Sequence, residues 1–314
     1  MNELLHISSN PHIRDKATTG KIMLDVIIAL IPATIVGISV FGLKALLLII
    51  VTMISAVTAE AVFQKITHQK ITISDGSAAL TGLLLALNLP VSLPVWMAVL
   101  GAVFAIIVVK QFFGGLGQNF MNPALAGRCF LLISFGTAMN NFTIDGISSA
   151  TPLANLKSGM AVDISKMFIG TTAGTIGETS AIALLAGALY LLVKKIIHLN
   201  IPLAYIASFS IFVIIYCLCT GRGLDWEFLA AHLCGGGLML GALFMATDYV
   251  TSPITPRGRI VFGICLGIMT GLFRFCGKSA EGVSYAIIFC NLLVPIIEKL
   301  TIPKAFGRED EDNE

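Results

Sequence analysis

Ten stretches of almost uninterrupted apolar sequence dominate this chain, near residues 22–41, 43–64, 76–89, 95–113, 120–137, 179–197, 203–219, 228–247, 259–274 and 280–298. A hydrocarbon core ~30 Å thick takes about 20 apolar residues of helix, and a backbone without water must satisfy its own N–H and C=O groups. Continuous runs, rather than alternating ones, select helices over barrel strands. The expected fold is therefore all-α: a polytopic membrane protein of about ten transmembrane helices. Only 12% of the residues are charged, against about 25% in soluble domains. The net charge of +2 offers no basic field to nucleic acid.

Lys and Arg set the orientation. With a cytoplasmic N-terminus and ten spans, 13 of them fall on inside segments and 6 outside, with Arg128 within a span. Both termini are then expected in the cytoplasm, and the first twenty residues are too polar for a cleavable signal peptide. The chain divides into an N-terminal segment (1–21), a first membrane repeat (22–137), an outer loop (138–178), a second membrane repeat (179–298) and an acidic tail (299–314).

Two spans are irregular. The third, DGSAALTGLLLALNLP, offers about 14 apolar residues before Asn88 and Pro90, or roughly 21 Å of helix. The eighth contains Gly235-Gly236-Gly237. Broken segments at matching places in two halves point to inverted repeats with a site at their interface. At an offset of 162 residues Pro94 meets Pro256, Gly101 meets Gly263, Phe113 meets Phe275 and Gly115 meets Gly277. Two inverted five-helix repeats are expected; chance matching of apolar helices is the competing reading.

Charged groups at bilayer depth are costly, so each is a site candidate. Glu60, late in the second span, reads as an interfacial carboxylate or an ion-path residue. Asp75 reads as the N-cap of the third span, and Asp248 as a turn residue closing the eighth; both are also ion-path candidates. Arg128 needs a phosphate, a carboxylate or helix-end carbonyls. Asn119 and Asn122, three apart before Pro123, are expected on one helix face, as caps or as amides that hydrogen-bond a flavin ring. The seven cysteines show neither CxxC nor zinc spacing, and read as small hydrophobes or, less simply, as ligands of a redox centre shared with another chain. No nucleophile triad, HExxH, Walker loop or dinucleotide fingerprint is present, so no catalytic residue and no metal site is expected.

The outer loop carries Asp145-Gly-Ile-Ser-Ser-Ala-Thr151-Pro-Leu. Alone it reads as a polar turn with an Asx or Ser/Thr cap. It also matches the flavinylation signature D-x-x-[S/T]-G-A-T, with Ser149 at the usual glycine. Together with FMNPALAGR (120–128), DGSAALTGLLLALNLP (75–90) and MATDYVTSPITP (245–256), the chain resembles the RnfD/NqrB family of membrane subunits. These belong to the Rnf complex and to its sister, the sodium-pumping NADH:quinone reductase. The blocks stand in family order over nearly the whole length. The resemblance implies a prokaryotic cell-membrane protein that carries FMN on Thr151 through a phosphoester. A flavin transferase would read Asp145 and Ser148 during attachment, on the outer side. It further implies a noncovalent riboflavin near Asn119 and Asn122, and as partners the Rnf proteins A, B, C, E and above all the FMN-bearing G. Electrons would run between ferredoxin and NAD, coupled to Na+ or H+ movement. A solute transporter and the sister NADH:quinone reductase are the alternatives; the short N-terminus and the SSATPL string favour the Rnf form.

Overall fold

The computed structural model describes residues 18–144, 147–277 and 282–303. Asp145 lies outside the described residues, and Ser148 is described only as backbone. Five helices are long and apolar enough to cross a bilayer: α1 (Thr19–Phe41), α2 (Leu43–Ile66), α10 (Asn200–Cys219), α13 (Pro256–Cys276) and α14 (Val283–Thr301). A sixth candidate is a broken pair, α11 (Trp226–Cys234) and α12 (Leu238–Met245), bent by 59°; the eighth run is thus two helices rather than one continuous helix. Four shorter apolar helices complete the set: α3 (Ser77–Leu87), α4 (Val95–Gln111), α5 (Pro123–Ser134) and α9 (Ala181–Val193). Short helices α6 (Gly136–Met139), α7 (Pro152–Lys157) and α8 (Ile164–Ile169) lie in the long loop, with a two-residue antiparallel pair, β1 (Thr143–Ile144) and β2 (Ile147–Ser148). The architecture is helical apart from that pair.

Local chemistry sets the helix ends. A single residue, Gly42 at φ +72°, ends α1 and starts α2, and only glycine enters that region without strain. Helices α5, α7 and α13 share one device: a polar N-cap (Asn122, Thr151, Thr255) followed by proline. Proline suits the first helical position because its missing N–H would have had no intrahelical acceptor. The fifth run thereby begins helix at Pro123, three residues later than its apolar character suggests.

Without a hydrophobic drive between helices, close backbone approach decides packing. On α13, Gly263, Gly267 and Gly271 recur every four residues and face α10: side chains there would strike Ala204, Ser208 and Phe212 respectively. Tyr205, fully buried, bonds Thr270 at 2.5 Å across the same interface. Gly187 of α9 lies against the Ala29 carbonyl of α1, and Gly82 of α3 against Met53 of α2. The opposite faces stay apolar and exposed, as Ile35, Leu47, Ile54, Val193, Ile211 and Ile296 show. Such faces suit lipid or apolar partner helices.

Cys129, Cys217 and Cys290 are buried and Cys219 and Cys276 exposed, all as free thiols. Among the described residues no His/Cys/Asp/Glu group could hold a metal ion.

The α10–α13 contact yields a test. Gly267→Leu should lower the apparent melting temperature of the purified protein, since overpacking costs about 1–3 kcal/mol. Ile268→Leu, at a position 43% exposed, should shift it little. Equal melting of all three proteins would refute the close-packing assignment.

Candidate functional site

Interrupted helices leave backbone groups without intrahelical partners, and the polar residues of this protein gather where α3, α5 and α12 stop or start. Two cavities open at opposite ends of these short helices, separated by a buried polar cluster.

The first cavity is lined by Leu80, Thr81 and Leu84 of α3, Lys110 of α4, Asn119, Asn122 and Ala124 around the start of α5, and Phe244 to Val250 where α12 ends, with Ala246 and Met245 set back. Its empty volume is about 780 Å³ with the open mouth included. Asn119 and Asn122 are both buried, but neither lies on a helix face. Asn122 is the N-cap, its amide oxygen accepting from Ala124 N at 3.1 Å and Leu125 N at 3.3 Å. Asn119 stands in the irregular segment before it and donates to Met121 O at 3.1 Å. Asp248 accepts from the Thr251 hydroxyl at 3.2 Å and Val250 N at 3.5 Å. Burial pushes its carboxyl above the usual range against those two donors.

One wall of this cavity is an ion pair. Glu60 is buried within the protein: it is 1% exposed and takes Lys110 Nζ at 2.9 and 3.0 Å and Gln111 Nε2 at 2.8 Å. Lys110, counted from sequence among inside-loop charges, is 2% exposed. It sits in a π-helical stretch of α4, Phe104–Gln111. Its third donor goes to Ser77 Oγ at 2.6 Å. Ser77 in turn donates from Oγ (2.7 Å) and N (2.8 Å) to Asp75. Asp75 is therefore one residue outside its expected place: Gly76 is the N-cap of α3, while the Asp75 carboxylate still holds the first helical N–H.

The polar cluster lies one turn further along. Arg128 Nη1 donates to Asn88 Oδ1 at 2.9 Å and Ser284 Oγ at 3.1 Å. The α11–α12 break turns on Gly236 and Gly237 at φ +65° and +68°. A Cβ on Gly237 would lie 3.0 Å from Glu178 Oε2 and 3.9 Å from Arg128 Nη1, so guanidinium and carboxylate converge on this glycine. Arg274 satisfies the carbonyls at the end of α11, bonding His232 O (2.5 Å), Gly235 O (2.9 Å) and Gly236 O (3.0 Å). Counted from sequence as an outside charge, Arg274 is instead buried. Removing Lys110 and Arg274 takes one residue from each side of the count and leaves its bias. The last stretch of the long loop, 175–180, is buried too, and donates Ile176 N to Leu89 O (3.1 Å) and Gly177 N to Leu87 O (2.7 Å). A loop strand thus caps the carbonyl end of α3.

Beyond the cluster lies Thr151. It is 6% exposed and caps α7, its hydroxyl accepting from Ala154 N at 3.3 Å. A narrow cleft joins Thr151 to Glu178, Gly174, Gly235 and Gly236. Leu153 is shared with a wider second cavity lined by Tyr216, Phe228, His232 and Phe275 together with Lys157, Arg222 and Arg274. Tyr216 stacks on Phe275 at 4.1 Å, Phe228 meets His232 at 4.5 Å, and Arg222 lies 5.0 Å over Phe228. Aromatic faces and fixed cations suit a planar, anionic ligand.

Sequence reasoning missed Lys110, Glu178, Arg274 and the aromatic box. Glu178 stands in a polar run before α9 that reads as a capping segment, and cross-helix partners such as Glu60 and Lys110 share no local pattern.

The chain matches the model of the NQR2, RnfD, RnfE family over residues 6–307. It is 47% identical to the D subunit of the Na(+)-translocating ferredoxin:NAD(+) oxidoreductase complex of Acetobacterium woodii, over 98% of this chain and 97% of that protein. It is 41% identical to the D subunit of the proton-translocating ferredoxin:NAD(+) oxidoreductase complex of Clostridium ljungdahlii, over 96% of each. With the D subunit of the ion-translocating oxidoreductase complex of Escherichia fergusonii the identity is 38%, over 97% of this chain and 99% of that one.

The Glu60–Lys110 pair can be weighed by mutation. Lys110→Met should destabilise by about 3–5 kcal/mol, because it strands a buried carboxylate. The double variant Lys110→Met/Glu60→Gln should recover much of that loss. Additive losses in thermal denaturation would show that the two side chains are not coupled.

Proposed function

Because the chain belongs to the NQR2, RnfD, RnfE family, we propose that it is the flavin-carrying subunit of an Rnf-type complex, ferredoxin:NAD oxidoreductase coupled to Na+ or H+ translocation. It is a multi-pass membrane subunit of an ion-translocating electron-transport complex, an oxidoreductase as an assembly. The observation that carries the flavin reading is that the cleft at Thr151 meets an aromatic and cationic cavity at a shared residue, Leu153.

In this reading FMN is esterified to Thr151 Oγ1 and, when bound, supplies one- and two-electron transfer. The chain's own work is placement. Tyr216, Phe228 and Phe275 offer faces to a ring, and Lys157, Arg222 and Arg274 offset negative charge. Thr151 is buried and caps α7, so its hydroxyl would have to be exposed, by movement of α7, for FMN to be attached there. A transferase on the outer side, reading Asp145 and Ser148, fits an outward loop and two cytoplasmic termini. The ten helical segments, six long or bent and four short, support two inverted five-helix repeats about the breaks at Asn88 and Gly236.

The first cavity suits a noncovalent riboflavin. Asn119 is the better placed amide, since the Asn122 oxygen already holds two backbone N–H groups. Among the ion-path candidates, Glu60 already has an ammonium in the place a cation would take, and Asp75 serves α3. Asp248, facing the cavity, is the strongest of the three. The Rnf proteins A, B, C, E and G would cover the exposed apolar faces, with G bringing its own FMN to the outer side.

Two measurements test this. The denatured polypeptide, made with its flavin transferase, should fluoresce in a gel under ultraviolet light, and Thr151→Val should abolish the band. A dark wild-type band would favour a solute carrier, which broken helices also suit. Asn119→Leu should cut the riboflavin retained per polypeptide about fivefold, the weight of one neutral hydrogen bond of ~1 kcal/mol, with covalent fluorescence unchanged. Unchanged retention would move the second flavin elsewhere.

A further inference from the structure

The first cavity and the cleft at Thr151 approach one buried polar layer from different elements. Leu84 on α3, Ala124 on α5 and Phe244 on α12 line the first. One turn further stand Asn88 and Arg128, and two turns back along α12 is Gly237. The cleft at Thr151 reaches that layer at Glu178, beside the α11–α12 break at Gly235 and Gly236. A membrane protein hollowed from both ends needs a barrier between the hollows. Any route for Na+ or H+ through it would dissipate the gradient that the complex builds.

We propose that Arg128 is that barrier, a fixed positive charge that rejects cations where the two cavities would otherwise meet. Three features support the assignment. First, the guanidinium is immobile: it is 3% exposed and is clamped by Asn88 at 2.9 Å and Ser284 at 3.1 Å. Second, the layer holds two guanidinium groups, Arg128 and Arg274, against one carboxylate, Glu178, and the first N–H groups of α12 add to the positive side. Third, five backbone carbonyls that could coordinate a passing cation are already used. Leu87 O and Leu89 O at the end of α3 accept from Gly177 N and Ile176 N, and His232, Gly235 and Gly236 carbonyls accept from Arg274. A fixed arginine beside a half-helix start is a known physical means of excluding cations from a pore. Electrons, which tunnel, are not stopped by it. The assignment requires that the chain spans the bilayer with the two cavities facing opposite sides, as the proposed topology has them, and stands apart from which flavin each cavity holds.

The test uses the complete complex in liposomes, with an imposed Na+ gradient and, separately, an imposed pH gradient, and no electron donor. The wild-type complex should hold both. Arg128→Gln should speed the passive decay of at least one gradient by about tenfold or more, as a modest drop in barrier height would. Arg128→Lys, which keeps the charge, should stay close to wild type. Assembly is checked by co-purification of the other subunits. If Arg128→Gln does not assemble, Asn88→Asp replaces it: a carboxylate against the guanidinium should also speed the decay. An assembled Arg128→Gln complex as tight as wild type would overturn the proposal. So would equal leakage from the Gln and Lys variants, which would assign Arg128 to packing alone. If Asn88→Asp has to decide, a tight complex overturns it as well.

Discussion

A helix that stops inside a membrane exposes carbonyls or N–H groups where no water can reach them, and much of this protein is organised by that demand. Each break brings its own partners. At the end of α3 they are backbone N–H groups from the long loop; at the end of α11, the five-donor fork of Arg274; at the start of α5, the amide of Asn122. The polar residues that seem out of place in so apolar a chain are the ones that make interrupted helices tolerable. Because they fill the middle of the fold, they also define where cavities can and cannot run.

The same residues explain why the breaks are useful. A continuous helix buries its polar backbone and offers only side chains to a ligand. A broken one offers dipole ends, and room beside them. The first cavity takes its walls from the ends of three such segments, and the cleft at Thr151 from the break between α11 and α12 and from the long loop. Buried charge costs desolvation whichever partner it finds. Glu60 and Lys110, and Arg128 with Asn88 and Ser284, are therefore better seen as devices that fix position than as sources of stability.

Much of this was legible in the sequence. The apolar runs located the helical segments because a bilayer imposes a length on them. The short third run and the glycine triple located the interruptions, because proline, asparagine and successive glycines are the residues that can end a helix in mid-bilayer. Asn119 and Asn122 proved to share a cavity, though not a helix face: Pro123 fixes the helix start behind both. What could not be read was pairing across helices. Lys110 looked like a loop charge since it follows an apolar run, and its carboxylate lies fifty residues away on another helix. Glu178 was invisible for a similar reason: the segment that carries it reads as a polar linker, yet its backbone supplies hydrogen bonds that α3 lacks, and this draws it into the interior.

That inserted segment has a topological effect. The stretch from Lys157 to Ala161 is exposed, while residues 175–180 on its far side are bonded to α3 and α9 packs on α1. A chain cut within the exposed stretch would leave two fragments interlocked like clasped hands, each holding a piece of the other's interior. Covalent continuity through the loop is thus dispensable for cohesion. The two halves could be synthesised as separate polypeptides and still find each other in the bilayer.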